Sequence, residues 1–208
     1  MSQQQHIIAS IVSQKILPLF THSDIIVAKK AVKICYDAGL KCFEFTNRTP
    51  NAPEIFYELK KYCTAELKGM LLGVGTIRNT AEAGQFPTAD FMVSPFITQQ
   101  LIDYTASKKI TWIPGCSTAS EIAMAADAGI DMVKIFPANF IGGAAFIKMM
   151  KEIFPSIKMI ATGGMKAGKE ELGNWFDNGT DAVGIGGQLF GKDFSDMQQA
   201  AAVIQKLL

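Results

Sequence analysis

Short, nearly unbroken apolar runs recur along the chain: Ile16–Phe20, Cys42–Thr46, Met70–Val74, Phe91–Ser94, Ile110–Ile113, Met132–Phe136, Met159–Thr162 and Ala182–Ile185. Continuous apolarity over four or five residues is what strands of a parallel sheet show when they are buried on both faces. Their starts lie between 19 (Phe91 to Ile110) and 28 (Cys42 to Met70) residues apart, room for one strand, two turns and a crossover helix. The stretches between them place apolar residues at helical spacing. Asp24–Tyr36 aligns Ile25, Ala28, Val32 and Cys35 and stops at Gly39. Asn51–Tyr62 has Pro53 near its start and Ile55, Phe56, Leu59 and Tyr62 on one face. Ser120–Ala128 closes at Gly129, Phe146–Phe154 closes at Pro155, and Asp193–Leu208 ends the chain. Asn79–Phe86 is short and only weakly helical.

Eight such βα units predict an α/β fold, a small (β/α)8 TIM barrel; a doubly wound open sheet is the alternative, and the count of eight favours the barrel. Gln3–Val12, with Ile7, Ile8, Ile11 and Val12, is expected as an extra N-terminal helix under the barrel floor. No linker, composition shift or low-complexity segment divides the chain, so residues 1–208 read as a single domain.

Composition narrows the function classes. Apolar residues make up 49% of the 208 and charged residues 19%, which excludes a disordered chain. Twenty basic residues against nineteen acidic ones leave a net charge of +1, without the basic stripe a nucleic-acid partner needs. The uncharged stretch Ile135–Ile147 is interrupted by proline and glycine and is too short to span a bilayer. No basic residue precedes the first apolar patch, as a signal peptide would have, so a cytoplasmic protein is expected. Cys35, Cys42, Cys63 and Cys116 are irregularly spaced and read as reduced thiols. His6 and His22 are the only histidines, which argues against a histidine dyad or a multi-histidine metal centre. Neither a metal nor a cofactor is expected.

Barrels carry their chemistry at the C-terminal ends of the strands. Two strands hold a charge within apolar sequence. In Cys42–Thr46, alternation sets Cys42, Glu44 and Thr46 against Phe43 and Phe45; in Met132–Phe136, it sets Met132, Lys134 and Phe136 against Val133 and Ile135. The bulky second set suits packing under helices, which leaves Glu44 and Lys134 pointing into the barrel. Such a pair is either a structural ion pair filling the interior or a Schiff-base lysine with a carboxylate proton relay. An ordinary lysine titrates near ~10.4 and amine catalysis at neutral pH works best near ~7–8, a difference of about 4 kcal/mol. Desolvation and a nearby cation supply such a difference, and Arg48 is placed to be that cation. Thr76 and Thr162 offer hydroxyls at the same rim. The glycine pairs Gly163-Gly164 and Gly186-Gly187 follow strands 7 and 8, where barrels often bind phosphate.

In order along nearly the whole chain, E-F-T-N-R-T (Glu44–Thr49), G-V-G-T (Gly73–Thr76), S-P (Ser94-Pro95), I-P-G (Ile113–Gly115), V-K-I-F-P-A (Val133–Ala138), T-G-G (Thr162–Gly164) and I-G-G (Ile185–Gly187) resemble the KDPG/KHG aldolase family. The resemblance implies a metal-free class I aldolase. It would cleave a 2-keto-3-deoxy (phospho)sugar acid or 4-hydroxy-2-oxoglutarate to pyruvate and an aldehyde, usually as a homotrimer. It casts Lys134 as the Schiff-base lysine and Glu44 as general acid and base. Arg48 and Thr76 would hold the pyruvate carboxylate; Pro95, Phe136 and Thr162 would line the substrate site. Gly163, Gly164, Gly186, Gly187 and Gln188 would face the phosphate end. The partner so implied is a small 2-keto acid, with neither nucleic acid nor membrane. Two positions depart from the family pattern: Phe96 stands where S-P-G is usual, and Gln188 where G-G-S is usual. Sugar-phosphate epimerases and thiamine-phosphate synthases share the late glycine loops but leave Lys134 and Glu44 unexplained. A metal-dependent aldolase lacks its ligand cluster. A non-catalytic sugar-acid binder would hold its ligand without forming an imine.

Overall fold

A computed structural model describes residues 2–190 together with Val203, Ile204 and Lys206. Among them nine parallel strands run β1 (Ile16–Phe20), β2 (Cys42–Thr46), β3 (Leu71–Gly75), β4 (Phe91–Val93), β5 (Thr111–Ile113), β6 (Gly115–Cys116), β7 (Met132–Ile135), β8 (Lys158–Thr162) and β9 (Ala182–Ile185). Their hydrogen-bonded order is β5-β4-β3-β2-β1-β9-β8-β7-β6. The two strands at the ends of that order are separated in the chain by Pro114 alone, so the sheet closes into a barrel through one strand broken at a proline. Pro114 has no N–H to donate, yet its carbonyl accepts from the Lys134 N–H at 2.8 Å, and the ladder continues past the break. The eight expected strands are all present, each starting within a residue of its expected position; the fifth, expected to end at Ile113, continues past Pro114 as β6.

The helices are α1 (Gln3–Gln14), α2 (Ile25–Asp37), α3 (Ala52–Glu66), α4 (Thr80–Gly84), α5 (Gln99–Lys108), α6 (Ala119–Asp127), α7 (Gly143–Ile153), α8 (Lys169–Asp177) and α9 (Gly187–Phe190). The sequence pattern does not single out α5 and α8. α7 begins three residues before the expected Phe146, because Gly142 and Gly143 form its N-terminus instead of breaking it. The expected closing helix Asp193–Leu208 lies outside the described residues, apart from the three named above.

Two apolar clusters divide the core. The larger packs Phe43, Phe45, Val133, Ile135, Met159 and Val183 beneath the helices. The smaller lies inside the barrel, where Leu17, Cys42, Phe91, Val93, Ile113, Met132, Ile160 and Ala182 meet Ile7, Ile8 and Ile11 of α1. The N-terminal helix therefore plugs the barrel floor, as the sequence led one to expect. Gln14 fastens it: its side-chain oxygen accepts from the Lys41 and Cys42 N–H groups at 2.9 and 2.8 Å, and its amide donates to the Ile16 carbonyl at 2.7 Å. Burial pushes the thiols of Cys42, Cys63 and Cys116 up to about 12, so they stay protonated core residues.

Two matching clamps hold the strand starts. Asp90, just before β4, accepts from the Leu72 N–H at 2.6 Å and pairs with Lys60 of α3. Asp181, just before β9, accepts from the Met159 N–H at 2.8 Å and pairs with Lys151 of α7. Both pairs are mostly buried, so each carboxylate bridges two strands and a helix at the closed end of the barrel.

Candidate active site

Two residues beyond Cys42 and Met132 of the floor cluster, β2 and β7 turn Glu44 and Lys134 into the barrel. The alternation seen in the sequence thus holds in the fold. Glu44 is 1% exposed and Lys134 4% exposed. No ion pair within 4.0 Å joins them, and the buried Glu44 Oε1 has no hydrogen-bond partner. A structural ion pair in direct contact is therefore not what occupies the interior.

The electrostatics favour uncharged forms of both. Burial raises the Glu44 carboxyl above its ordinary value, opposed by the positive charges of Lys134 and Arg48. Burial lowers the Lys134 amine, opposed by Glu44 and reinforced by Arg48. An amine held neutral is a nucleophile, and a carboxyl held protonated is an acid. The Lys134 Nζ lies 4.9 Å from the centre of the Phe136 ring, which shields it on one side.

Arg48 follows β2 and is exposed; its Nε donates to the Thr76 hydroxyl at 3.2 Å. Thr76 follows β3 in the left-handed region at φ 63°, a conformation that costs a β-branched residue on the order of 1–3 kcal/mol. Nothing in the sequence signals that conformation. Thr162 ends β8, 8% exposed, beside Gly184 of β9, where a Cβ would come within 2.6 Å of its hydroxyl. Pro95 sits at the end of β4, its carbonyl packed directly on Gly115 of β6, the residue paired with Lys134. Ser94 beside it accepts from the buried Trp112 indole at 2.8 Å.

Two loops meet behind Lys134. Ser117 donates to the Phe136 carbonyl at 2.7 Å, and a cis peptide joins Phe136 to Pro137. Gly163 and Gly164 both take positive φ, 101° and 78°, and pack on this loop: a Cβ on Gly163 would meet Pro137 at 3.0 Å, one on Gly164 would meet Asn139 at 2.9 Å. Asn139, unremarked in the sequence, donates from its backbone to the Gly163 carbonyl at 3.3 Å and from its side chain to the Gly164 carbonyl. Gly186 and Gly187 line a cavity of about 200 Å³ with Leu19, Phe20, Thr21, Thr46 and Arg48. Gln188 is exposed on α9, and no hydrogen bond ties it to the other candidate residues. Among the described residues no cluster of three His, Cys, Asp or Glu side chains is placed to hold a metal ion, and no helix is long and apolar enough to cross a membrane.

Known proteins share this fold and much of its sequence. The family model for KDPG and KHG aldolase matches residues 7–206. A 2-dehydro-3-deoxy-phosphogluconate aldolase of Zymomonas mobilis is 32% identical over 152 residues, 72% of this chain and 71% of the relative. A 2-dehydro-3-deoxy-6-phosphogalactonate aldolase of Escherichia coli is 30% identical over 175 residues, 81% of this chain and 82% of the relative. The crystal structure of a Zymomonas mobilis 2-keto-3-deoxy-6-phosphogluconate aldolase superposes with a TM-score of 0.86 at 26% identity, covering 97% of this chain and 95% of that one.

Proposed function

The chain belongs to the KDPG and KHG aldolase family, and on that basis we propose a residue-level mechanism for its reaction. It is a class I aldolase, an aldehyde-lyase, that cleaves a 2-keto-3-deoxy (phospho)sugar acid or 4-hydroxy-2-oxoglutarate to pyruvate plus glyceraldehyde 3-phosphate or glyoxylate. The observation that carries the assignment of roles is that Lys134 and Glu44 are both buried inside the barrel with no ion pair between them, each displaced toward its neutral form.

Neutral Lys134 attacks the C2 carbonyl of the 2-keto acid. Protonated Glu44 gives its proton to the C2 oxygen of the carbinolamine, and water leaves as the iminium forms. Glu44, now a carboxylate, takes the proton of the C4 hydroxyl. The C3–C4 bond breaks, its electron pair moves to the iminium nitrogen, and the aldehyde departs. Glu44 returns its proton to C3 of the enamine, and hydrolysis of the resulting iminium frees pyruvate and Lys134. Arg48 and Thr76 hold the carboxylate next to C2, where the guanidinium also disfavours a charged amine. Phe136, Pro95 and Thr162 shape the mouth; Gly163, Gly164, Gly186, Gly187 and Gln188 receive the distal end of the substrate.

Residues 1–208 act as one cytoplasmic barrel domain, assembled as a homotrimer. Phe140, 81% exposed, and Ile26, Met149 and Ile153 supply apolar surface of the kind that subunit contacts cover. Borohydride reduction in excess pyruvate, read by intact mass and peptide mapping, tests the chemistry. One reduced pyruvate on the peptide holding Lys134 is expected, and none with Lys134→Met. No adduct on folded protein, or an adduct on another lysine, removes the assignment.

A further inference from the structure

We propose that Asn139 is a positioning residue for the distal, anionic end of the substrate, acting through the backbone of Gly163 and Gly164. This deepens the aldolase reading and rests on it. Asn139 lies in the loop after β7, and its backbone N–H and side-chain amide draw two successive carbonyls, those of Gly163 and Gly164, toward that loop. In a planar trans peptide the N–H points opposite to the carbonyl. The N–H groups of Gly164 and Met165 are therefore turned away from the β7 loop, to the side on which β9 follows in the sheet. Neither has an acceptor among the described residues.

Two successive free N–H groups make a concave donor pair of the kind that binds phosphate and carboxylate oxygens. Left alone, two glycines in succession would sample many orientations, because neither has a side chain to restrict it. The contacts with Pro137 and Asn139 take up the space a Cβ would need at both positions. Asn139 thus fixes which way the donors face, and it does so from the loop after β7, the strand that carries Lys134 five residues earlier. The nucleophile and the distal donors are thereby joined through one strand and the loop that follows it.

The test compares wild type, Asn139→Ala and Asn139→Asp on 2-keto-3-deoxy-6-phosphogluconate and on 4-hydroxy-2-oxoglutarate, with pyruvate trapping as a control on the nucleophile. Asn139→Asp keeps the side-chain shape but sets an acceptor against the Gly164 carbonyl. Both variants are expected to raise KM for the phosphorylated substrate on the order of 10-fold. The rise should be several times smaller for the unphosphorylated one, and both should trap pyruvate on Lys134. An aspartate variant that matches wild type would show a steric role only and overturn the proposal. So would equal losses on both substrates, or variants that fold but no longer trap pyruvate. Wild-type protein that traps no pyruvate would instead bring down the aldolase reading itself.

Discussion

The Glu44 carboxylate occupies the space that a side chain on Gly75 would need. Glu44 stands on β2 and Gly75 ends the neighbouring strand β3, where it pairs with Thr46. The glycine of the G-V-G-T segment is thus the hollow into which the buried acid folds, and a methyl group there would push the carboxylate toward the mouth. Gly75→Ala is expected to fold, to keep both ionisable groups, and to lose about 10²-fold in kcat through misplacement of Glu44. The acid and base limbs of its pH–rate profile should move toward ordinary carboxyl and amine values as the pair gains solvent. Steady-state rates across pH would check this; a wild-type profile with wild-type kcat would show that Glu44 has freedom to spare.

Thr76 is expected to trade stability for function. Thr76→Gly relieves the left-handed backbone and should stabilise the fold by roughly 1 kcal/mol, after allowing for the greater freedom of an unfolded glycine. It also deprives Arg48 Nε of its partner. KM for the aldol substrate should rise, while Thr76→Ser, which keeps the hydroxyl, stays near wild type. Thermal melts and kinetics on the same preparations decide the matter.

The buried pair links stability to pH in opposite ways. The native state holds the Glu44 proton more tightly than the unfolded chain does, so stability is greatest below the ordinary value of 4.5 and declines as pH rises above it. The unfolded chain holds the Lys134 proton more tightly, so stability from this group recovers only as pH climbs toward 10.5. Glu44→Gln should therefore gain stability over wild type at pH 8 and gain none at pH 4. Lys134→Met should gain at pH 7 and lose that gain above pH 10.5. Denaturant midpoints over this range measure both.

The floor plug is expected to matter for stability and not for chemistry. Ile11 is fully buried against the barrel interior. Ile11→Ala should cost about 2–5 kcal/mol by leaving a cavity, with kcat close to wild type in the protein that remains folded. A matching collapse in kcat would mean that the floor supports Glu44 and Lys134 more directly than their separation from it indicates.

Much of this was legible in the sequence because the strands are short and doubly buried. Glu44 and Lys134 stood out as charges within apolar runs, and alternation alone put them on the inner face. α7 was misjudged at its start because Gly142 and Gly143 read as breakers, whereas their positive φ values form the helix N-terminus. α5 and α8 are faint in the sequence because each has few buried positions, Leu172 and Trp175 in α8 for instance, among many polar ones. The left-handed Thr76 and the grip of Asn139 on the Gly163-Gly164 segment left no trace in the pattern. Both are set by contacts between neighbouring strand ends, which lie 28 and 25 residues apart in the chain.

A barrel stoppered at one end is a cup, and a cup imposes an order. With Ile7, Ile8 and Ile11 seated in the floor, molecules pass in and out by the rim alone. In the proposed mechanism the pyruvate half of the substrate is tethered at depth through Lys134, and the other half lies nearer the opening. Cleavage therefore leaves the aldehyde on top and pyruvate below. In the reverse direction pyruvate must enter first, and an aldehyde that arrives early sits as a lid over an unloaded nucleophile. Substrate inhibition by aldehyde, relieved by pyruvate, is therefore expected from the seat of the N-terminal helix as much as from the chemistry of the lysine.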